Sequence, residues 1–435
     1  MNEQIKQRIA QLNNGEVPSG YEKTNFGIFP CDWVKGKTFG DLFDFYGGLG
    51  KSRDELGDEG HAYLHYGDLH RGAFNVVSHE QYEQLPKYDV ALKGTETYLM
   101  EDGDVAFLDA SEDLEGTSRA VLIDNPHNEP FIAGLHIIYG KSKDESLEKW
   151  YKQYITSSES VRKQFQRLAA GFKVYGVNRD TLPKIQVAYP KSTEEQSKIA
   201  EILMKWDEAI ELQEQYINNI SLRNSILVDN LLSRQQGWRP LPLSTFIEIK
   251  SGYAFKSETY TLDGEYKIIT IKNVKKGEFD LSDYSTIDEL PDNIQSHHFL
   301  NMGDIIISLT GNVGRACMVE ADNCLLNQRV GKLAINGINP LFIYEILQTN
   351  RFISKMQNIA QGCAQANLSN TDIEEFIAYF PFNKNGLDTK KIDELSEFLS
   401  KAHAELEMQK TLLSNMMLQR KTLQQYLLNG IVRVK

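Results

Sequence analysis

Two stretches of this chain, 199–231 and 395–427, carry the same helical pattern of apolar residues at a constant offset of 196 positions. Each pattern alternates steps of four and three residues, which is the spacing of a coiled-coil seam. Eight of the ten seam positions are apolar in each stretch, and the polar exceptions fall at the same two places. The exceptions are Gln213, Asn224, Gln409 and Arg420. The chain is therefore an internal duplication, and each copy ends in a long amphipathic helix.

The globular parts of the two copies repeat the same order of strand-like segments. A tryptophan precedes a run that ends in glycine, over 42–48 in the first copy and over 246–252 in the second. A Gly-Asp turn then precedes an apolar run in both copies, GDVAFLD at 103–109 and GDIIISL at 303–309. Short apolar runs bounded by turns predict buried strands.

Two further expectations concern the segments around these strands. Residues 62–75 and 266–280 alternate in polarity, which predicts further strands. Pro190 and Pro381 come at the end of the last strand-like run of each copy, and each proline is predicted to break the strand before the long helix begins.

These patterns predict an α+β fold. Two globular mixed α/β domains are joined by two long helices that form an antiparallel intramolecular coiled coil, with an internal pseudo-two-fold repeat. Gln213 and Gln409 then either face each other in the seam or lie at its edge, and the sequence supports both arrangements equally. The predicted segments are an N-terminal helical segment 1–20, a first globular domain 21–191, a first long helix 192–233, a second globular domain 234–387, a second long helix 388–429 and a C-terminal tail 430–435.

The composition of the 435 residues is that of a globular protein, with 41% hydrophobic and 25% charged residues. The sequence has no signal-peptide pattern, no apolar run of membrane-spanning length and no CxxC pair among its 4 cysteines. We therefore expect a cytoplasmic protein without membrane association. The net charge of −13 argues against a nucleic-acid binder, but basic residues cluster at 160–184 and 267–276.

A glycine-rich segment, GGLGKS at 47–52, is similar to the end of a phosphate-binding loop. That motif requires a glycine five residues before Gly50, where this chain has Phe45. The second copy has SGYAFKS at 251–257 in the same place, without a glycine ladder. The sequence therefore predicts no nucleotide site.

No other pattern predicts a catalytic centre. His297 and His298 lack further ligands at metal spacing, and we expect them in a solvent-facing loop. We predict no catalytic residues, no bound metal and no cofactor, so the protein is not expected to be an enzyme.

Five segments together resemble one known family. They are YEKTNFGIFPCDW (21–33), TEEQSKIAEILMKWDEAIELQEQ (193–215), GYAFKSETY (252–260), QGCAQANLSNTDI (361–373) and LLNGIVRVK (427–435). In this order, and with the duplication, the whole chain resembles the specificity subunit of type I restriction–modification enzymes.

The resemblance implies a DNA-recognition subunit without catalytic activity. Its two globular domains are then target recognition domains, each reading one half of a bipartite, non-palindromic site in double-stranded DNA. The helical pair sets the gap between the halves and docks two methyltransferase subunits, and restriction requires motor-nuclease subunits in addition. A non-DNA coiled-coil adaptor that holds two binding domains apart is the alternative.

The long helices also carry apolar residues outside the seam, which indicate contacts with the domains or with partner chains. These residues are Met204, Leu212, Ile226, Val228, Phe398, Met408, Met417 and Tyr426.

Candidate DNA contacts are residues of the types that read base edges or hold phosphates, in basic or polar segments. In the first copy they are Lys51, Arg53, Tyr66, His70, Arg71, Arg162, Lys163, Arg167, Lys173, Tyr175 and Arg179. In the second copy they are Tyr253, Lys256, Lys272, Asn273, Lys275, Lys276, Asn312, Arg315, Asn327, Gln328, Arg329, Gln361, Gln365 and Asn367.

Overall fold

The structure is a computed structural model, and it describes residues 3–70, 76–89, 96–111, 119–169, 175–176, 178–361 and 367–434. The chain divides into two compact units. Unit 1 comprises Met1–Leu212 and Ser414–Lys435, and unit 2 comprises Gln213–Leu413. Within the described residues, no helix combines the length and the apolar character needed to cross a membrane.

The helices include two of 39 and 40 residues, α7 and α11, each of which contributes one half to each unit. The helices of the described residues are α1 (Glu3–Asn13), α2 (Phe39–Leu42), α3 (Tyr66–His70), α4 (His79–Gln84), α5 (Lys149–Thr156), α6 (Glu159–Ala169), α7 (Thr193–Leu231), α8 (Pro340–Gln348), α9 (Asn350–Gln361), α10 (Asn370–Glu374) and α11 (Thr389–Leu428).

The strands are short. Those of unit 1 are β1 (Tyr21–Lys23), β2 (Ile28–Pro30), β3 (Val34–Thr38), β4 (Phe43–Gly47), β5 (His61–Leu64), β6 (Val76–Val77), β7 (Lys87–Tyr88), β8 (Leu99–Met100), β9 (Val105–Leu108), β10 (Ala110–Ser111), β11 (Ala120–Ile123), β12 (Phe131–Ala133), β13 (Ile137–Ser142), β14 (Tyr175–Gly176) and β15 (Gln186–Tyr189). Those of unit 2 are β16 (Trp238–Pro242), β17 (Ile247–Ser251), β18 (Tyr266–Ile269), β19 (Val274–Lys275), β20 (Glu278–Phe279), β21 (Ser285–Ile287), β22 (Phe299–Leu300), β23 (Ile305–Ser308), β24 (Ala316–Met318), β25 (Cys324–Leu326), β26 (Val330–Ile335), β27 (Ile377–Asn383) and β28 (Gly386–Leu387).

The sheets of the two units share one topology. The main sheet has the order β4-β13-β9-β11-β6 in unit 1 and β17-β26-β23-β24 in unit 2. The second sheet has the order β7-β5-β12-β8 in unit 1 and β21-β18-β25-β22 in unit 2. Parallel pairs occur at the same place, between β5 and β12 and between β18 and β25. The predicted internal repeat of mixed α/β domains is confirmed, and β6 is an additional edge strand of unit 1.

Each unit packs its halves of the long helices onto its own core. Leu203 and Leu427 lie in the core of unit 1, and Leu399 and Val228 lie in the core of unit 2. Leu203 and Leu399 occupy the same position of the repeat and are 0% and 1% exposed. The apolar seam therefore joins helix to helix and also joins each helix to a domain.

The two long helices run antiparallel. In unit 2, Gln213 Nε2 donates to Gln409 Oε1 at 2.9 Å, and Asn224 Nδ2 donates to Ala402 O at 2.9 Å. Residue numbers thus rise along one helix while they fall along the other. The predicted antiparallel pair is confirmed, and the two glutamines face each other instead of lying at the edge.

Two expectations about local structure are wrong. Residues 66–70 form helix α3 instead of a strand, because the Asp68 side chain and backbone close a turn with His65. β15 ends before Pro190 as predicted, but β27 continues through Pro381. In the described sheet, β27 has only β16 beside residues 377–381, and an open strand edge tolerates a proline.

Candidate nucleic-acid interface

One end of the main sheet in unit 2 gathers polar residues predicted from the sequence. β17 ends at Ser251 opposite Gly331, and β23 ends at Ser308 opposite Val330. Both strands therefore end beside the start of β26. The loops that leave them lie next to each other, and we call this place the loop end of unit 2.

Backbone hydrogen bonds hold the loops of this end together. The Gln328 amide donates to Tyr253 O at 2.9 Å, and the Leu309 amide donates to Arg329 O at 3.0 Å. Gln328 and Arg329 are exposed, while Tyr253 is half-buried. Side chains from three separate segments are thus brought to one surface.

The loop between β23 and β24 adds to this surface. Ser308 Oγ donates to Asn312 O at 2.6 Å and accepts from the Arg315 amide at 3.1 Å. Asn367 forms a backbone bridge with Thr310. Asn312 and Asn367 are exposed and Arg315 is half-buried, so the surface presents amide and guanidinium groups, the types that read bases and hold phosphates.

Unit 1 has an equivalent loop end. β4 ends at Gly47 opposite Ile138, and β9 ends at Leu108 opposite Ile137. The guanidinium of Arg179 lies against Gly47 at this end. The predicted contact Arg179 therefore belongs to the same part of the sheet as the residues described for unit 2.

A histidine at this end has an unusual backbone conformation. His136 has a φ of 61°, which is uncommon for a residue other than glycine. Its Nδ1 lies 2.9 Å from Asp109 Oδ1, and its ring meets Tyr66 edge to face at 5.4 Å between centroids. His136 precedes β13 as Arg329 precedes β26. Sequence reasoning missed His136, which an alignment of these two strand starts would have indicated, and Asp109, which directly follows β9.

Gly48 of the GGLGKS segment and its counterpart Gly252 have a packing role. A Cβ atom on Gly48 would lie 1.8 Å from Gly134 O, and one on Gly252 would lie 2.2 Å from Asn327 O. Both glycines therefore allow two chain segments to touch at the same place in each unit. This close approach explains why a glycine is needed at each position, and no bound phosphate is required to explain it.

Several predicted cations are already paired with acids. The closest pairs are Lys51–Glu55 at 2.8 Å, Arg53–Asp68 at 3.1 Å, Lys163–Glu159 at 2.7 Å, Lys272–Asp283 at 2.9 Å and Lys275–Asp280 at 2.7 Å. Hydrogen bonds from Lys51 and Ser52 lower the pKa of Glu55 to about 2. Hydrogen bonds from Lys275 and Ser282 lower the pKa of Asp280 to about 2. These acids remain charged at neutral pH and offset the lysines beside them.

Comparison with known proteins assigns the family. The family described as Type I restriction modification DNA specificity domain matches residues 32–222 and 235–410, one match in each copy. The chain belongs to this family. Its members are the non-catalytic specificity subunits of type I restriction–modification systems, so the chain is a DNA specificity subunit and not an enzyme.

Two solved structures share the fold of this specificity subunit. The S subunit of the type I restriction–modification system from M. genitalium matches with a TM-score of 0.50 at 16% identity, over 91% of this chain and 96% of that chain. A structure from work on complex assembly and conformational transition of the type I R-M system matches with a TM-score of 0.59 at 13% identity, over 93% of this chain and 99% of that chain.

Two predicted contacts of the specificity subunit, Asn273 and Asn327, are buried. Asn273 is 1% exposed, and its side-chain amide donates to Asp280 O and Asp283 O, so this side chain closes a loop of its own domain. Lys276 is exposed, and its Nζ lies 3.5 Å from Asn350 Oδ1.

Other predicted contacts line a groove, are exposed on the surface or fall outside the described residues. Arg162 and Lys163 line a groove beside the C-terminal end of α11. Lys256, Arg167 and Gln361 are exposed. Arg71, Lys173 and Gln365 lie outside the described residues, and for His70 and Tyr175 only the backbone is described.

The histidine pair does not lie in an open loop. His298 is 6% exposed, and its ring meets Tyr253 at 5.6 Å between centroids. The expectation of a solvent-facing loop is wrong for His298, because its ring packs beneath the tyrosine of the loop end. Among the described residues, no group of His, Cys, Asp and Glu side chains has the arrangement of a metal site.

Proposed function

We propose that this specificity subunit reads a bipartite, non-palindromic DNA site, with one recognition domain on each half. The observation that carries the proposal is the repetition of one sheet with different side chains at its loop end. His136 in unit 1 stands where unit 2 has Arg329. Arg179, beside Gly47, stands where unit 2 has Asn370, whose Nδ2 donates to Ser251 Oγ at 3.2 Å. Equivalent surfaces with different hydrogen-bonding groups select different bases.

The helical pair is proposed to set the unread gap between the two halves. Helices of 39 and 40 residues are each about 60 Å long at about 1.5 Å per residue. The polar contacts Gln213–Gln409 and Asn224–Ala402 fix the register of the pair, because a slip would leave buried polar groups without partners.

The outer faces of the helical pair are proposed to dock two methyltransferase subunits. Three pairs of exposed apolar residues recur at the same places of the two helices, and this repetition supports a binding surface on each helix. These pairs are Leu212 with Met408, Tyr216 with Leu412, and Leu222 with Leu418. A duplicated surface favours two equivalent partners. Among the apolar residues that the sequence placed outside the seam, Ile226, Phe398 and Met417 are also exposed, whereas Val228 packs into the core of unit 2.

The isolated subunit is proposed to bind DNA weakly and to gain affinity when methyltransferase subunits join. The net charge is −13, and Lys272 and Lys275, at the hairpin of β19 and β20, already pair with acids. Phosphate contacts supply much of DNA affinity, so paired lysines contribute less of it. Restriction is proposed to require motor-nuclease subunits in addition.

The experiment that tests this proposal is a genome-wide map of methylated bases with and without the gene. We expect a motif in two different halves, separated by a gap of fixed length, that loses methylation when the gene is deleted. A contiguous or palindromic motif would contradict the proposal.

A further inference from the structure

Each recognition domain makes a partly buried polar contact with a long helix at the same place of the repeat. In unit 1, Tyr154 of α5 donates its hydroxyl to Asp207 Oδ2 at 2.8 Å. In unit 2, Glu345 Oε2 of α8 lies 3.0 Å from His403 Nε2. Asp207 and His403 are separated by the repeat offset of 196 positions. We call these contacts joint 1 and joint 2.

The two joints use opposite chemistry. In joint 1 the carboxylate belongs to the long helix, and Arg420 of the other long helix donates to it from Nε at 2.8 Å and from Nη2 at 3.1 Å. In joint 2 the carboxylate belongs to the domain. The counterpart of Arg420 is Asn224, which donates to Ala402 O and brings no positive charge.

The carboxylate of joint 2 depends on the imidazole. The Glu345 side chain is 3% exposed, and a buried carboxylate needs a charged or hydrogen-bonding partner. The charged groups around His403 are Glu345 on α8 and Glu407 and Lys410 on its own helix. On the facing helix α7, Arg223 is held by Glu405 at 2.7 Å.

The protonation of the two joints responds differently to pH. The hydrogen bond to Glu345 raises the pKa of His403, so the ion pair is complete below the ordinary histidine range and is lost as pH rises through the raised value. Arginine does not lose its proton in proteins. Burial raises the pKa of Tyr154, so its hydroxyl also keeps its proton at neutral pH. As pH rises through the pKa of His403, joint 2 therefore loses the positive charge of the imidazole. Joint 1 keeps the charge of Arg420 and the hydroxyl proton of Tyr154.

We infer that His403 and Glu345 form a proton-dependent joint that positions the second recognition domain on the helical pair, while Tyr154, Asp207 and Arg420 hold the first domain independently of pH around neutrality. The inference rests on the proposed function, because a loosened joint widens the range of gap lengths that the subunit accepts. All five are positioning residues, since they act through the domains they hold.

The first test is hydrogen exchange of the full chain at about pH 6 and about pH 8.5, corrected for intrinsic rates. In the wild type, protection of α8 should fall about threefold to tenfold more than that of α5 as pH rises. In His403→Gln this difference should disappear, because the amide cannot titrate. In the matched variant Asp207→Asn, α5 should lose protection equally at both pH values. Equal pH responses of α5 and α8 in the wild type would overturn the inference.

A second variant guards against a folding defect. Glu345→Gln keeps the shape of the side chain and removes its charge, so α8 should show no pH-dependent loss of protection. Retention of the wild-type pH response in this variant would also overturn the inference.

The functional test uses the assembled methyltransferase complex. At about pH 6, the complex with His403→Gln should methylate sites whose gap is one base pair longer or shorter. We expect the methylation level at these sites to be about threefold or more higher than with the wild-type complex. If the wild type methylates a two-part motif and the variant accepts the same gap lengths as the wild type, the inference about joint 2 is refuted while the proposed function stands. Absence of any two-part motif in the wild type would refute the proposed function.

Discussion

Unit 1 and unit 2 bury the same apolar framework and surround it with different polar contacts. Asp104 and Asp304 occupy the same Gly-Asp turn before the buried strand of the main sheet. Asp304 forms an ion pair with Lys332, whereas the described residues provide no ion pair for Asp104. Burial raises the pKa of Asp104 to about 7. The two copies therefore share the packing of this buried strand, but the charged partners of the aspartate before it differ.

The largest expected effect comes from the shared framework. Leu203→Ala and Leu399→Ala should each cost about 2–5 kcal/mol, because each leaves a cavity at the contact between a long helix and a core. Hydrogen exchange should show the loss in unit 1 for the first variant and in unit 2 for the second. The controls are Leu222→Ala and Leu418→Ala, which are 62% and 63% exposed and should change stability by no more than about 0.5 kcal/mol. If either core variant destabilised both units equally, the claim that each leucine stabilises its own unit would be contradicted.

The second prediction concerns the two aspartates. Since the pKa of Asp104 is raised on folding, its stabilising contribution is complete below about pH 4 and is lost as pH rises through about 7. Asp104→Asn keeps an acceptor for the Glu101 amide and should stabilise unit 1 by about 2–4 kcal/mol at about pH 8. Asp304→Asn should instead destabilise unit 2 by about 1–3 kcal/mol, because it removes the carboxylate that pairs with the half-buried Lys332. Denaturant unfolding as a function of pH, with hydrogen exchange to locate the change, measures both. The same sign for the two variants would contradict the account.

The smallest effects are expected on DNA binding by the assembled complex. Replacing Arg315 and Arg329 with alanine should weaken binding about tenfold and reduce the salt slope by about 1 for each phosphate that is no longer neutralised. Replacing Lys272 and Lys275 should act in the same direction but less strongly, because Asp283 and Asp280 already neutralise them. Titrations at several salt concentrations compare the two double variants. A larger loss of affinity in the Lys272 and Lys275 double variant would contradict the assignment of the DNA interface to the loop end and would place it at the hairpin of β19 and β20.

The sequence predicts the parts of this fold that repeat along the chain. The seam periodicity and the strand order, present twice, indicate the helical pair and the duplicated domains. Contacts between distant positions are less accessible to sequence reasoning. Tyr154 meets Asp207 and Glu345 meets His403 only after the domain has folded onto its helix. Residue type alone also does not show that Asn273 turns inward to close a loop.

The candidate site was predicted in part for the same reason. Arg329 and Gln328 stand in a visibly polar segment, and the structure brings both to the loop end of unit 2. His136 stands alone between apolar residues, so its equivalence to Arg329 becomes visible only when the strand starts are aligned. The acids that pair with lysines, such as Asp283 with Lys272, are separated from them in sequence and become partners through the fold.

The central claim is that each domain reads its own half of the DNA site, and a domain exchange tests it most directly. Residues 21–190 are replaced by the corresponding domain of another specificity subunit, and methylated bases are mapped across the genome. We predict that one half of the motif changes while the other half and the gap stay the same. A change in both halves, or an unchanged motif, would contradict the claim.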